Sequence, residues 1–367
     1  MNKFKISLYL LPFATLIIVA GCTSDAPFKF EGTTIPEQLN DGWEVASPEA
    51  VDLNQETLDK VYANFVAEDK YSNAKSLLVV KNGKLIFEAY CRTPKDRDRI
   101  GHVQSVTKSV TSLLFGIVKS EGYIQSLDQT LYSIIPDKFS SGSAKQAITL
   151  HQLLTMTSGI EFDNDVFSVE IYCDQPADPV KYILNKPMYA GPGEKFYYRD
   201  ADPHLISYVI KRSTGRTLAQ WADEKLFGPL GINDYYWDSD HTGLSMGGHG
   251  LHLKPRDMAK IGQLVLNHGQ WDDIQFVDST WIAISTQKQV DSKFNSDPHN
   301  YDYGYYWWIL PNRQAVTAWG AGGNYIFIVP TMELVIVMTS MPDVDNGVLN
   351  TGLPAFENLI NPILADY

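Results

Sequence analysis

Two apolar, branched runs, Ser76–Lys81 and Lys84–Tyr90, flank Asn82-Gly83. Asparagine and glycine both tolerate positive φ, so this dipeptide between alternating strands predicts a tight β-hairpin. From Ser105 to Gly122 the pattern changes period: Val106, Val110, Leu113, Leu114, Ile117 and Val118 recur at helical spacing, and Gly122 supplies a stop. Ser105 is thereby placed at a helix N-terminus. The middle of the chain reads as helices and loops, with helical patterns over Ile148–Met156, Pro203–Lys211 and Leu251–Asn267, the last entered through Lys254-Pro255-Arg256-Asp257. Near the end, Asn324–Val329 and Leu334–Ser340 read as a second hairpin around Pro330–Glu333, and Ala355–Ala365 as a closing helix. No repeat period appears.

The N-terminus carries an address. Met1–Lys5 is basic, Ile6–Ala20 is an almost unbroken apolar run of 15 residues, and small residues follow, the layout of a secretory signal and short for a membrane span. Val19-Ala20-Gly21-Cys22 resembles a bacterial lipobox, which makes Cys22 the expected site of lipidation. Thr23 follows it, favouring an outer-membrane anchor facing the periplasm. The expected organisation is a signal peptide over 1–21, a tether over 22–45 and one folded domain over 46–367. Cys91 and Cys173 then remain, either as a bridge that an oxidising compartment permits or as two small buried thiols.

With 44% hydrophobic and 20% charged residues, the 367-residue chain is globular material long enough for a sizeable core. The net charge is -13, and removing 1–21 takes Lys3 and Lys5 away, leaving 28 basic against 43 acidic residues, or -15. A nucleic-acid partner is not expected from such a balance. The eight histidines show no pair at ligand spacing beside a carboxylate, so neither a metal nor a cofactor is expected.

The chemistry is concentrated in three stretches: Ser105-Val106-Thr107-Lys108, Phe196-Tyr197-Tyr198 and Trp319-Gly320-Ala321-Gly322-Gly323. Residues three apart share a helix face, so Ser105 and Lys108 project together, and the free amides of a first turn favour a developing negative charge. The spacing alone is weak, because Ser72-x-x-Lys75 and Ser285-x-x-Lys288 share it. Only Ser105 opens a buried helix after a pair of strands. A lysine acts as base only where burial or nearby positive charge lowers its pKa.

Ser105-x-x-Lys108, Pro192-Gly193-x-x-Phe196-x-Tyr198 and Gly320-Ala321 before a terminal hairpin together resemble the β-lactamase-related serine hydrolases. That superfamily includes class C β-lactamases, penicillin-binding carboxypeptidases, esterases and 6-aminohexanoate-dimer hydrolases. The resemblance runs from about Val51 to the C-terminus. It implies an α/β (α+β) fold: an antiparallel sheet flanked by helices, built from about 46–104 and 250–367, with a mainly helical insert over about 105–249. It also implies Ser105 as nucleophile, Lys108 lowering the cost of its deprotonation, Tyr198 relaying protons, and the Ser105 and Ala321 amides as oxyanion hole. Asp200, Trp319, Gly320 and Gly322 fall on the substrate side of the motifs.

Two departures bear on substrate. Tyr198-Arg199-Asp200 stands where lactamases have Tyr-x-Asn, and Ala318-Trp319-Gly320 where they have Lys-Thr-Gly. The lost cation and hydroxyl are the groups that hold a carboxylate, so an uncharged ester or an amine-bearing amide is expected. The partners are then a small-molecule or peptide-like ester or amide substrate, and the membrane through a lipid anchor only. Three other readings stay open: wall-peptide carboxypeptidase or transpeptidase, β-lactamase, and a non-catalytic peptide-binding lipoprotein. The aromatic stretch Tyr301–Trp308 fits core packing or a substrate groove, and Glu161, Asp163, Asp165, Glu170 and Asp174 fit a solvated loop or an amine site.

Overall fold

A computed structural model describes residues 34–67, 71, 73–91, 93–162, 164, 171, 176–292, 301–341 and 352–366. The signal and lipobox residues including Cys22, and also Cys173, Asp163, Asp165, Glu170 and Asp174, lie outside them.

The first hairpin is β1 (Ala74–Lys81) and β2 (Lys84–Tyr90), joined by Asn82 and Gly83 at φ 51° and 76°. Positive φ at both turn positions is the geometry whose twist matches paired strands. Three short strands follow, β3 (Gly101–His102), β4 (Tyr236–Trp237) and β5 (Leu251–Leu253), which form a separate sheet ordered β3-β5-β4. A small hairpin, β6 (Gln270–Trp271) and β7 (Ile274–Gln275), stands apart. The C-terminal part contributes β8 (Val290–Asp291), β9 (Asp302–Tyr303), β10 (Trp308–Leu310), β11 (Ala315–Gly320), β12 (Asn324–Val329) and β13 (Leu334–Ser340). These pair with the first hairpin in one antiparallel eight-stranded sheet ordered β2-β1-β13-β12-β11-β10-β9-β8.

Both faces of this sheet are covered, which is why its central strands read as unbroken apolar runs rather than alternating ones. On β12, Tyr325 stacks on Phe356 of the closing helix Leu353–Ala365 at 4.4 Å, and Phe327 packs edge-on to the same ring. Ile326 points the other way: a Cβ on Gly262 would lie 2.7 Å from it, so the helix Pro255–Leu266 rides that face closely enough to require glycine. Where helical periodicity is expected from Leu251, the structure forms β5 instead and starts the helix at Pro255. Leu251 and Leu253 face the same side of a strand that pairs with both β3 and β4, and this long-range pairing overrides the local helical pattern.

Arg256, in that helix's first turn, bridges the buried Glu88 of β2 at 2.8 Å and Asp41 at 2.8 Å, fastening the N-terminal segment to the sheet. Asp257 beside it is less well compensated. Burial raises its carboxyl to about 6, more than Lys260 and Lys254 lower it. The native chain therefore keeps a proton that the unfolded chain releases from about pH 4 upward, and the group's contribution to stability is lost as pH rises through about 6. Asp257→Asn is expected to raise stability at pH 8 by about 1–3 kcal/mol and to change it little at pH 4, read by urea denaturation at the two pH values.

The helix Val106–Ser120 is central. Its residues from Val106 to Val118 are all buried, and it packs against both β11 and the helix Ala201–Thr214. Of the aromatic stretch, Tyr301, Tyr303, Tyr305, Tyr306, Trp307 and Trp308 are all buried, so most of it is core.

Candidate active site

Ser105 occupies the N-cap of the central helix, directly after Gln104 in the left-handed region at φ 54°. The turn is clamped from both sides. Thr107 Oγ1 donates to the Gln104 carbonyl at 2.7 Å and accepts from the Leu251 amide at 3.2 Å, while the Val103 amide donates to the Leu251 carbonyl at 2.9 Å. The strained turn is thus fastened to β5, and Ser105 stands half-buried at the helix start.

One helical turn on, Lys108 is 1% exposed and its Nζ donates to Ser105 Oγ at 2.8 Å. The same Nζ donates to the Gly248 carbonyl at 2.8 Å and to Asp200 Oδ1. These three acceptors, with the Tyr198 hydroxyl also hydrogen-bonded to the amine, suit an ammonium, which only donates. Burial alone would push Lys108 down, as a lysine base requires. The Asp200 carboxylate, and after it Tyr198, outweigh burial, and the net shift is upward. Asp200 is correspondingly held below the usual carboxylate range, since Lys108 and His249 outweigh the burial that would raise it. The condition for a lysine base is therefore opposed here, because this chain places a carboxylate against the amine.

That contact also relocates Asp200. Expected on the substrate side, it instead has its carboxylate turned onto Lys108, and a Cβ on Gly248 would come within 2.7 Å of its Oδ1. Glycine at 248 is what admits the carboxylate. Between Tyr198 and Asp200, Arg199 turns inward and is fully buried, donating to the Tyr197 carbonyl at 2.9 Å and to the Ile160 carbonyl, 3.7 Å from Asp202. Asn164 accepts from the Asp200 amide at 2.7 Å. The buried guanidinium and this side chain hold the segment so that its flanking residues, Tyr198 and Asp200, both meet Lys108. Lys108 Nζ lies 4.7 Å from the centroid of the Tyr198 ring.

The third stretch approaches from β11. A Cβ on Gly320 would meet the Val103 carbonyl at 2.3 Å and Gln104 Cβ at 3.1 Å, so only glycine lets the end of this strand lie against the turn that carries Ser105. The turn beyond is fixed from inside the sheet. Asn324 donates to the Ala321 carbonyl at 3.0 Å and accepts from the Ser340 amide at 3.1 Å, while Ser340 Oγ donates to the Gly322 carbonyl at 2.5 Å. Gly322 and Gly323 have φ of 79° and 101°, which the turn demands. Gly322, expected at the substrate, is buried with its carbonyl tied to Ser340. Gly320→Ala is expected to push the β11 end off the nucleophile turn and to lower kcat by roughly 10²-fold with a smaller change in KM, the loss of one aligned oxyanion donor.

Trp319 remains half-buried and packs on Trp308 at 5.5 Å, and Trp308 stacks on Tyr198 at 5.4 Å. An indole thus stands where a cation was missing from the motif, continuous with the ring of Tyr198. Of the two competing serine–lysine spacings, Ser285 is buried and donates to the Ile282 carbonyl, and Ser72 lies outside the described residues. Asn324, Asn164 and Gly248 are the site residues that sequence reasoning missed. Asn324, a polar residue opening an apolar run, carried a local sign, and the other two carried none.

A serine at the start of a buried helix, a lysine one turn later, a tyrosine whose ring meets that lysine and a glycine-ended sheet strand at the nucleophile define an acyl-transfer site on a transpeptidase-like fold. The chain belongs to the beta-lactamase family, whose sequence profile matches residues 58–350, and it is a serine hydrolase of that family. The 6-aminohexanoate-dimer hydrolase of Paenarthrobacter ureafaciens is 24% identical over 294 residues, 74% of this chain and 73% of its own length. Among solved structures, a family VIII carboxylesterase superposes with a TM-score of 0.69 at 18% identity, over 88% of this chain and 99% of that one. A penicillin-binding protein homologue from Caulobacter crescentus gives 0.67 at 16%, over 88% and 98%. These likenesses establish the antiparallel sheet flanked by helices.

Proposed function

We propose that the chain hydrolyses uncharged esters or amine-bearing amides through an acyl-enzyme on Ser105. The observation that carries this is the Lys108 ammonium donating to Ser105 Oγ at 2.8 Å while fixed by Asp200. Ser105 Oγ attacks the carbonyl carbon, and the Ser105 and Ala321 amides take the oxyanion. Tyr198 receives the serine proton as it hands its own to the departing alcohol or amine. The C–O or C–N bond breaks, and water then releases the acid by the same steps in reverse. In this scheme Lys108 stays charged, and it stabilises negative charge on Ser105 Oγ as the proton leaves. Its role is electrostatic.

Support for the substrate class comes from the third motif and from two of the similar proteins. Trp319 replaces the cation and hydroxyl with an indole packed on Trp308, and the names of two similar proteins specify an amide and an ester hydrolase. A comparison of kcat/KM for p-nitrophenyl butyrate, the 6-aminohexanoate dimer, benzylpenicillin and a peptide ending in D-alanyl-D-alanine tests the reading. We expect the neutral ester to exceed benzylpenicillin and the peptide by at least about tenfold, the worth of one lost charge-assisted contact. Faster turnover of benzylpenicillin or of the peptide would sink it.

A further inference from the structure

The small sheet beside the active site brings together three side chains that are far apart in sequence. His102 of β3 and His252 of β5 are directly paired in register, and their rings meet edge-on at 4.7 Å. Asp238, just past β4, reaches between them: its Oδ2 lies 3.2 Å from His252 Nε2 and 3.8 Å from His102 Nε2. The Asp238 amide donates to the Gly250 carbonyl at 2.8 Å. A Cβ on Gly250 would fall 2.8 Å from Asp238 Cβ and 3.2 Å from Oδ2, so the glycine, at φ 90°, leaves the room into which the carboxylate turns.

We propose that His102, Asp238 and His252 form a binding site for a divalent transition-metal ion of the zinc class. The three ligand atoms lie within 4.8 Å of one another. Tetrahedral ligands at about 2.0–2.1 Å from zinc stand about 3.3–3.4 Å apart, so small side-chain adjustments close the set onto one ion. Two imidazoles and a carboxylate suit zinc, nickel or cobalt and disfavour magnesium or calcium, which take oxygen ligands. The side chains are 24–30% exposed, so an ion has access and a fourth position is left to water. All three sit on or beside paired strands, which fixes their backbones before binding.

One internal adjustment is required. The Gln104 amide donates to His102 Nδ1 at 2.9 Å, and coordination through Nε2 moves the ring proton to Nδ1, so that contact must open. Gln104 is the residue held at φ 54°, and its release relieves part of the strain it carries.

The test is calorimetric titration of the purified chain, stripped with a chelator, with Zn²⁺ alone, beside His252→Ala and Asp238→Asn, with circular dichroism to check folding. Co²⁺ substitution supplies a second readout through the visible absorption of a four-coordinate ion. The wild type is expected to bind one zinc per chain, and each variant to bind it at least about tenfold more weakly and to lose the cobalt absorption. Wild type that takes up no stoichiometric zinc overturns the proposal whatever the variants do. So does a folded variant that keeps both stoichiometry and affinity. If one variant does not fold, the other and the wild type decide.

Discussion

Ser105→Ala is expected to remove at least about 10⁴-fold of ester turnover while leaving the fold intact. The nucleophile is half-buried at the helix N-cap, and no side-chain cap bond from it to the helix is present, so its hydroxyl contributes little to the helix itself. What the mutation removes is the acceptor of one Lys108 donation at 2.8 Å and the atom that forms the acyl bond. Steady-state rates with p-nitrophenyl butyrate and a urea denaturation curve on the same preparation separate the two effects. A mutant retaining more than about a hundredth of the wild-type rate would point to a different nucleophile.

The second large effect is expected at Lys108. Removing it should lower turnover by about 10³-fold, and it should also destabilise the protein by about 3–5 kcal/mol, because Asp200 is left as a largely buried carboxylate without its main counter-charge. Lys108→Ala combined with Asp200→Asn removes both charges and is expected to recover most of the stability and none of the activity. Urea denaturation and rates across this double-mutant cycle distinguish a catalytic ammonium from a merely structural ion pair. Equal recovery of both quantities would assign the lysine a structural role.

The elements set by short-range signals were legible in the chain. Asn82-Gly83 announced the first hairpin, the apolar period from Val106 to Val118 announced the central helix, and the two runs around Pro330 announced the closing hairpin. Ser105 and Lys108 were legible for the same reason, since one helical turn fixes their relation. Features set by distant partners were not. The charge on Lys108 depends on a carboxylate 92 positions away, which the motif comparison had assigned to substrate. β5 is a strand because β3 and β4 flank it, although its residues continue a helical pattern into Pro255. The same sheet unites Asp238 with His102 and His252, two histidines that appear scattered when read along the chain. Asn324 is legible only once β12 and β13 are paired, because its work is to tie the Ala321 turn to Ser340 across them.

The most direct test of Ser105 as the acyl-forming residue is intact mass of the protein after reaction with a fluorophosphonate, followed by peptide mapping. One adduct per chain on the peptide containing Ser105, absent from folded Ser105→Ala, is the expected result. An adduct on another residue, or none on a folded protein that turns over the ester, would contradict the account.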